Sequence, residues 1–158
     1  MKTLMLVRHA KAVRGDMNLP DRDRDLEEKG VRNAKKLAKY LASEKVEIDL
    51  LVSCPANRAK STALILTNEL GKRVADLVIV ERLYGSDVQT LVSVVEQTSK
   101  KVDTLMLVGH NPQIEGLANF FLSKDLHMQT SSLIILKFNV DTWEGLGHEK
   151  PVRFSSVI

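Results

Sequence analysis

A chain of 158 residues that is 44% hydrophobic suits one domain with a sizeable core, here taken as residues 1–158. Its 23 Lys and Arg stand against 20 Asp and Glu with no long run of either sign, and aromatics make up 4%, which argues against a nucleic-acid partner. The single cysteine, Cys54, excludes an internal disulfide and fits a reducing compartment, and the first apolar run breaks at Arg8-His9 after five residues, too short for a signal segment or a membrane span. A cytoplasmic protein with no membrane partner is expected.

The chain begins with a predicted strand, Thr3-Leu4-Met5-Leu6-Val7, and the same five residues recur as Thr104 to Val108. Aliphatic runs without polar alternation suit strands buried on both faces, as in a parallel sheet covered by helices. The first copy leads into Arg8-His9 and the second into Gly109-His110. After the first strand a polar stretch, Lys11 to Asp25, ends in an expected capping box with Asp25 as N-cap and Glu28 three residues on. The following helix carries its apolar stripe on Val31, Ala34, Leu37, Ala38 and Leu41, with Lys35, Lys36 and Lys39 facing water.

A second strand is predicted over 48–52, then a helix over 55–70 with Pro55 at its first position and Gly71 past its end. A short strand over 77–80, a helix over 87–98 and the repeated strand over 104–108 follow. Asn111-Pro112 opens a helix with the stripe Ile114, Leu117, Ala118 and Phe121, and the apolar runs 132–138 and 152–155 read as edge strands. The alternation describes an α/β protein with a mostly parallel sheet.

In open α/β sheets ligands bind outside the carboxyl ends of the strands, so both copies of the repeated phrase deliver a histidine to the expected crevice. The second strand runs into Ser53-Cys54-Pro55-Ala56-Asn57-Arg58, placing Arg58 in the first turn of a helix that starts at the same rim. Free N–H groups and the positive helix end favour an anion there. Arg8 and Arg58 add planar forks that match phosphate oxygens, so two arginines and two histidines point to a phosphoryl group.

With those residues in view, the chain resembles the histidine phosphatase superfamily, in particular its small SixA-type phosphohistidine phosphatases. The matching pieces are Leu6-Val7-Arg8-His9-Ala10, then Arg58-Ala59-Lys60-Ser61-Thr62-Ala63 after a strand and Pro55, then Leu107-Val108-Gly109-His110-Asn111-Pro112. The resemblance implies a three-layer α/β/α sandwich of the phosphoglycerate mutase-like type and a phosphorylated protein or small phosphorylated molecule as substrate. It also implies that His9 is the nucleophile that becomes phosphorylated, with Arg8, Arg58 and His110 binding phosphoryl oxygens. Glu81, in Val80-Glu81-Arg82-Leu83-Tyr84-Gly85, resembles the position where relatives carry a general acid, and its plain alternative is a surface pair with Arg82. Arg24-Asp25-Leu26 through Gly30 is similar to the segment before the family's first helix, though Asp25 and Glu27 stand where Pro and Thr are usual. No cofactor or metal is implied.

Chemically, a neutral His9 would attack phosphorus in line, while His110 beside a phosphate dianion would favour its protonated form. Three other readings stay open. A cysteine phosphatase would use Cys54, set at the predicted N-cap where a thiolate is stabilised, but Lys60 rather than Arg stands six positions on. A metal site would need a carboxylate or thiolate beside the histidines, where the expected neighbours are arginines. A catalytically weak phospho-binding module, or a mutase-like phosphotransferase, would keep the same fold. His127 and His148 read as surface residues, and Trp143 as a cover over the core edge.

Overall fold

The computed structural model describes residues 1–157. Six strands, β1 (Lys2–Arg8), β2 (Leu50–Ser53), β3 (Leu77–Ile79), β4 (Thr104–Gly109), β5 (Leu133–Phe138) and β6 (Arg153–Val157), form one sheet in the order β3-β2-β4-β1-β5-β6. The pairs β1–β4, β2–β4 and β2–β3 are parallel, while β5 runs antiparallel to β1 and to β6. Four helices follow the alternation read from sequence: α1 (Glu28–Ser43), α2 (Asn57–Leu70), α3 (Val88–Glu96) and α4 (Gln113–Leu122). α1 packs on α2, and α3 on α4. Leu4, Met5, Leu6 and Val7 are all buried, as are Leu105 to Val108, so the two central strands are covered on both faces.

The two copies of Thr-Leu-Met-Leu-Val pair with each other, residue for residue: Thr3 opposite Thr104 through Val7 opposite Val108, with Arg8 opposite Gly109. From β1 the chain crosses through α1 to β2, beyond β4; from β4 it crosses through α4 to β5, beyond β1. The connections therefore diverge between β1 and β4, which makes their carboxyl ends the switch-point crevice of the sheet. His9 and His110 emerge side by side at that point.

Several expectations shift. The 132–138 run is not an edge strand: as β5 it lies between β1 and β6, with Leu133, Ile134, Leu136 and Phe138 buried and Ile135 half-buried, and its aliphatic character reflects two hydrogen-bonded neighbours; only β6 is an edge on that side. Asp25 does not cap α1. Its carboxylate accepts from the Leu26 amide (2.7 Å) and the Ser61 hydroxyl (2.7 Å), and the N-cap is Glu27. Trp143 is fully buried rather than at the core edge, its Nε1–H donating to the Val102 carbonyl at 2.7 Å. Asp87 does cap α3, accepting from the Thr90 amide at 2.9 Å. Among the described residues no helix is long and apolar enough to cross a membrane.

The loop after His9 is held against α1. The Glu27 amide donates to the Lys11 carbonyl (3.0 Å), and a Cβ at Gly30 would lie 2.1 Å from that same oxygen. Helix propensity alone favours Ala over Gly by about 1 kcal/mol. We expect Gly30→Ala to reverse that sign and cost about 2–4 kcal/mol in urea unfolding, because a backbone oxygen cannot step aside as a side chain can. Gly116→Ala, whose added Cβ meets only the Val88 Cγ2 methyl at 2.7 Å, should cost less than half as much.

Candidate active site

His9 is 7% exposed, and its backbone amide donates to the Gly109 carbonyl at 2.9 Å, tying the end of β1 to the end of β4. Its Nδ1 lies 2.7 Å from the Ala10 carbonyl oxygen. A carbonyl can only accept, so Nδ1 carries the proton and Nε2 presents a lone pair. Burial is the main reason the imidazole's pKa falls to about 4, with the Arg58, Arg8 and His110 charges adding to the fall and the Ala10 hydrogen bond opposing it. His9 is thus a neutral base at neutral pH.

Arg58 comes from the first turn of α2 and is 4% exposed. Thr62, one turn later and fully buried, joins the two motifs: its hydroxyl donates to the Arg58 carbonyl (2.7 Å) and accepts from the Ala10 amide (2.9 Å). Arg8 donates from Nη1 to the Met128 carbonyl (2.9 Å), while its Nε is buried without a partner. His110 is also partnerless at a buried Nε2. Its pKa is lowered, first by burial and then by Arg58, with Asp21 pulling the other way. Burial and the two arginines thus disfavour the charged form of His110, and only an added negative charge would favour it. The structure brings His9, Arg8, Arg58 and His110 together at one rim. Among the described residues no cluster of three His, Cys, Asp or Glu side chains is arranged to hold a metal.

Glu81 opens a short 3-10 turn (Glu81–Leu83) after β3, and its side chain is 70% exposed. Its partner is Arg22, not Arg82: both Arg22 Nη groups donate to its two oxygens, the Nη2–Oε2 contact at 2.8 Å, and Arg82 instead donates to Gln97 (2.6 Å). The hydrogen bonds from Arg22 hold Glu81 below the usual carboxylate range, the opposite of what a proton donor at neutral pH needs. Arg24 is spent locally, donating to the Val13 carbonyl (2.8 Å) and to Asp21 (3.0 Å).

Asp21 is the residue that sequence reasoning missed. It lies in the 3-10 turn Asp21–Asp23, and its backbone oxygen and Oδ2 accept from Arg58 at 2.8 and 3.1 Å. Tyr84 donates its hydroxyl to the same Oδ2 at 3.0 Å, and its ring centroid is 6.5 Å from that of His110. The signal was the run Asp21-Arg22-Asp23-Arg24-Asp25, but charge alternation does not say which element it folds over. Cys54 lies two residues before the N-cap of α2, Ala56, and is 1% exposed. Burial raises its thiol pKa, so it is a structural residue and not an activated thiolate. His127 is exposed, with Nδ1 3.1 Å from Glu115, and His148 is exposed as well.

A family model described as histidine phosphatase superfamily, branch 1, matches residues 4–90. The chain belongs to the histidine phosphatase superfamily. An uncharacterised protein of Mycobacterium tuberculosis is 31% identical over 112 residues, 71% of this chain and 67% of its own. Among solved structures, the backbone is similar to that of a protein assigned as phosphohistidine phosphatase SixA from Agrobacterium tumefaciens, at 26% identity and a TM-score of 0.82, over 98% of this chain and 97% of that one. A SixA protein histidine phosphatase solved with tungstate shares the fold at 18% identity and a TM-score of 0.79, covering 99% and 94% of the two chains. The fold is the phosphoglycerate mutase-like one expected from sequence, and the phosphatase is a hydrolase of phosphorylated substrates.

The depressed His9 pKa has a consequence for the phosphatase's stability. An unfolded histidine takes up its proton near pH 6.5, the native one only near 4, so the unfolded state binds more protons between those values. Native stability is therefore unaffected by His9 above pH 6.5 and falls as pH drops through that window, by up to about 3 kcal/mol. Denaturant titrations of wild type and His9→Asn should show the variant gaining relative stability by about that amount between pH 7 and 4.

Proposed function

We propose that the protein removes a phosphoryl group from phosphohistidine on a protein, or from a small phosphoester, through a covalent phosphohistidine intermediate on His9. The observation that carries this reading is the buried, neutral His9 with its Nε2 lone pair free, set beside buried Arg58 and half-buried Arg8. His9 Nε2 attacks phosphorus in line; the Nε2–P bond forms as the bond to the leaving group breaks, and the leaving group takes up a proton. Water then attacks the phosphoimidazole, releasing inorganic phosphate and restoring neutral His9. Arg8 and Arg58 stabilise the charge on the equatorial oxygens, and the partnerless Arg8 Nε, with His110 Nε2 once that ring is protonated, can donate to such oxygens. A dianion there would also restore the protonated form of His110.

The similarity to proteins named phosphohistidine phosphatase supports an N–P bond as the one cleaved. Imidazole leaves more readily than an alkoxide, so a site in which the Glu81 carboxylate is held ionised by Arg22 suits it. Buried, unpaired Cys54 is consistent with a cytoplasmic setting. We propose that no metal is required, so turnover should be indifferent to a chelator.

Rapid-quench labelling tests the central step. An acid-labile phosphoryl group should appear on His9 during turnover and be absent from His9→Ala, and Arg58→Ala should lower turnover about 10²–10³-fold. Phosphate binding with no label on any residue would instead mark a phospho-binding module. Because Arg22 holds Glu81 ionised, Glu81→Gln should change phosphohistidine and phosphoester turnover alike by less than about threefold, measured side by side on one preparation. A loss of tenfold or more confined to the phosphoester would instead mark Glu81 as its proton donor.

A further inference from the structure

The guanidinium proposed to hold phosphoryl oxygens is already engaged by an anion from the chain itself. Arg58 Nη1 donates to the Asp21 carbonyl and Nη2 to the Asp21 carboxylate, at 2.8 and 3.1 Å. The same carboxylate accepts from Tyr84 Oη and from Arg24 Nη1, both at 3.0 Å, so it gathers three donors as a bound oxyanion would. Partial burial tends to raise its pKa, but the hydrogen bonds from Arg24 and Tyr84 and the Arg58 charge prevail and bring it to about 2. Asp21 is anionic throughout the working range.

Its position is that of a doorkeeper. The Asp21 side chain is 54% exposed and the Arg58 side chain 4%, so the carboxylate stands between solvent and guanidinium. The turn carrying it is held in place by its own Arg22, which pairs with Glu81 and lies 5.4 Å from the Tyr84 ring centroid, and by Asn57, the neighbour of Arg58, whose amide donates to the Asp23 carbonyl at 3.0 Å. Arg24 and Tyr84 hold the carboxylate independently of Arg58. Asp21 can therefore let go of Arg58 and keep two partners.

We propose that Asp21 is a specificity-determining residue, an internal anion that an incoming phosphoryl group must displace from Arg58. This rests on the phosphoryl-transfer reading and deepens it. A carboxylate or monoanion offers Arg58 no more than Asp21 already gives. A phosphoryl dianion has three oxygens and reaches, beyond Arg58, the vacant donors Arg8 Nε and His110 Nε2. The gate thus passes groups able to satisfy several donors at once and rejects small carboxylates, despite a strongly cationic site.

The test measures binding of inorganic phosphate, orthovanadate and acetate to the full chain by calorimetry, beside steady-state kinetics. Asp21→Ala should tighten phosphate and vanadate about tenfold, Asp21→Asn less, because its amide oxygen can still accept from Arg58. KM should fall in step while kcat changes less, and acetate, undetectable on wild type, should bind Asp21→Ala. Tyr84→Phe keeps the carboxylate but loosens it, so it should tighten phosphate two- to threefold, and it decides the matter if the Asp21 variants do not fold. Equal or weaker phosphate binding in folded Asp21 and Tyr84 variants would overturn the proposal, since a residue that merely positions Arg58 would weaken the site when removed. Wild-type oxyanion binding that is indifferent to Arg58→Ala would instead overturn the phosphoryl reading beneath it.

Discussion

The parallel pairing of β1 with β4 is the constraint from which the site follows. It sets two identical aliphatic phrases side by side in register, so the residues after each phrase, Arg8-His9 and Gly109-His110, leave the sheet at the same height. One more hydrogen bond, from the His9 amide to the Gly109 carbonyl, extends the ladder past the strand ends and fixes the backbone of His9. The connections from the two strands leave in opposite directions there, which opens a crevice at their carboxyl ends. Thr62 then locks the Arg58 motif to the first through two buried hydrogen bonds.

That convergence concentrates positive charge where water is scarce. Arg8, Arg58 and two imidazoles share a space in which burial already disfavours protonated histidine, and the arginines disfavour it further. Both imidazoles are pushed toward their neutral forms, and in His9 the fixed tautomer leaves the lone pair on Nε2. The uncompensated cationic field also makes the free site attractive to any anion. Asp21 answers that field from within the chain, and Tyr84 and Arg24 answer Asp21, so that a loop with little regular structure is organised by one buried guanidinium.

Much of this was legible from residues alone. The four helices and six strands were each anticipated within a few positions, because buried parallel strands read as unbroken aliphatic runs and surface helices as 3.6-residue stripes. His9, Arg8, Arg58 and His110 were legible because each follows a strand or opens a helix at the same sheet edge. What failed depended on partners distant in sequence. β5 read as an edge because an aliphatic run does not reveal how many neighbours it has, and Asp25 read as a cap because a capping box is a local pattern blind to Ser61. Glu81 was paired with its sequence neighbour, whereas a fold that brings residues 22 and 81 together gave it Arg22.

The sequence by itself determined the layered α/β plan, the identity of the four converging side chains and the chemistry they suit, since all of these reside in local periodicity and in the residue types that end each strand. Only the tertiary structure decided the protonation states and the competition for Arg58. A pKa depends on how much water a group has lost and which charges replaced it, and neither can be read until segments some 40 to 100 residues apart are packed against one another. Asp21 shows the difference plainly: one more acidic residue in a charged loop by sequence, and in the fold the anion seated on the arginine.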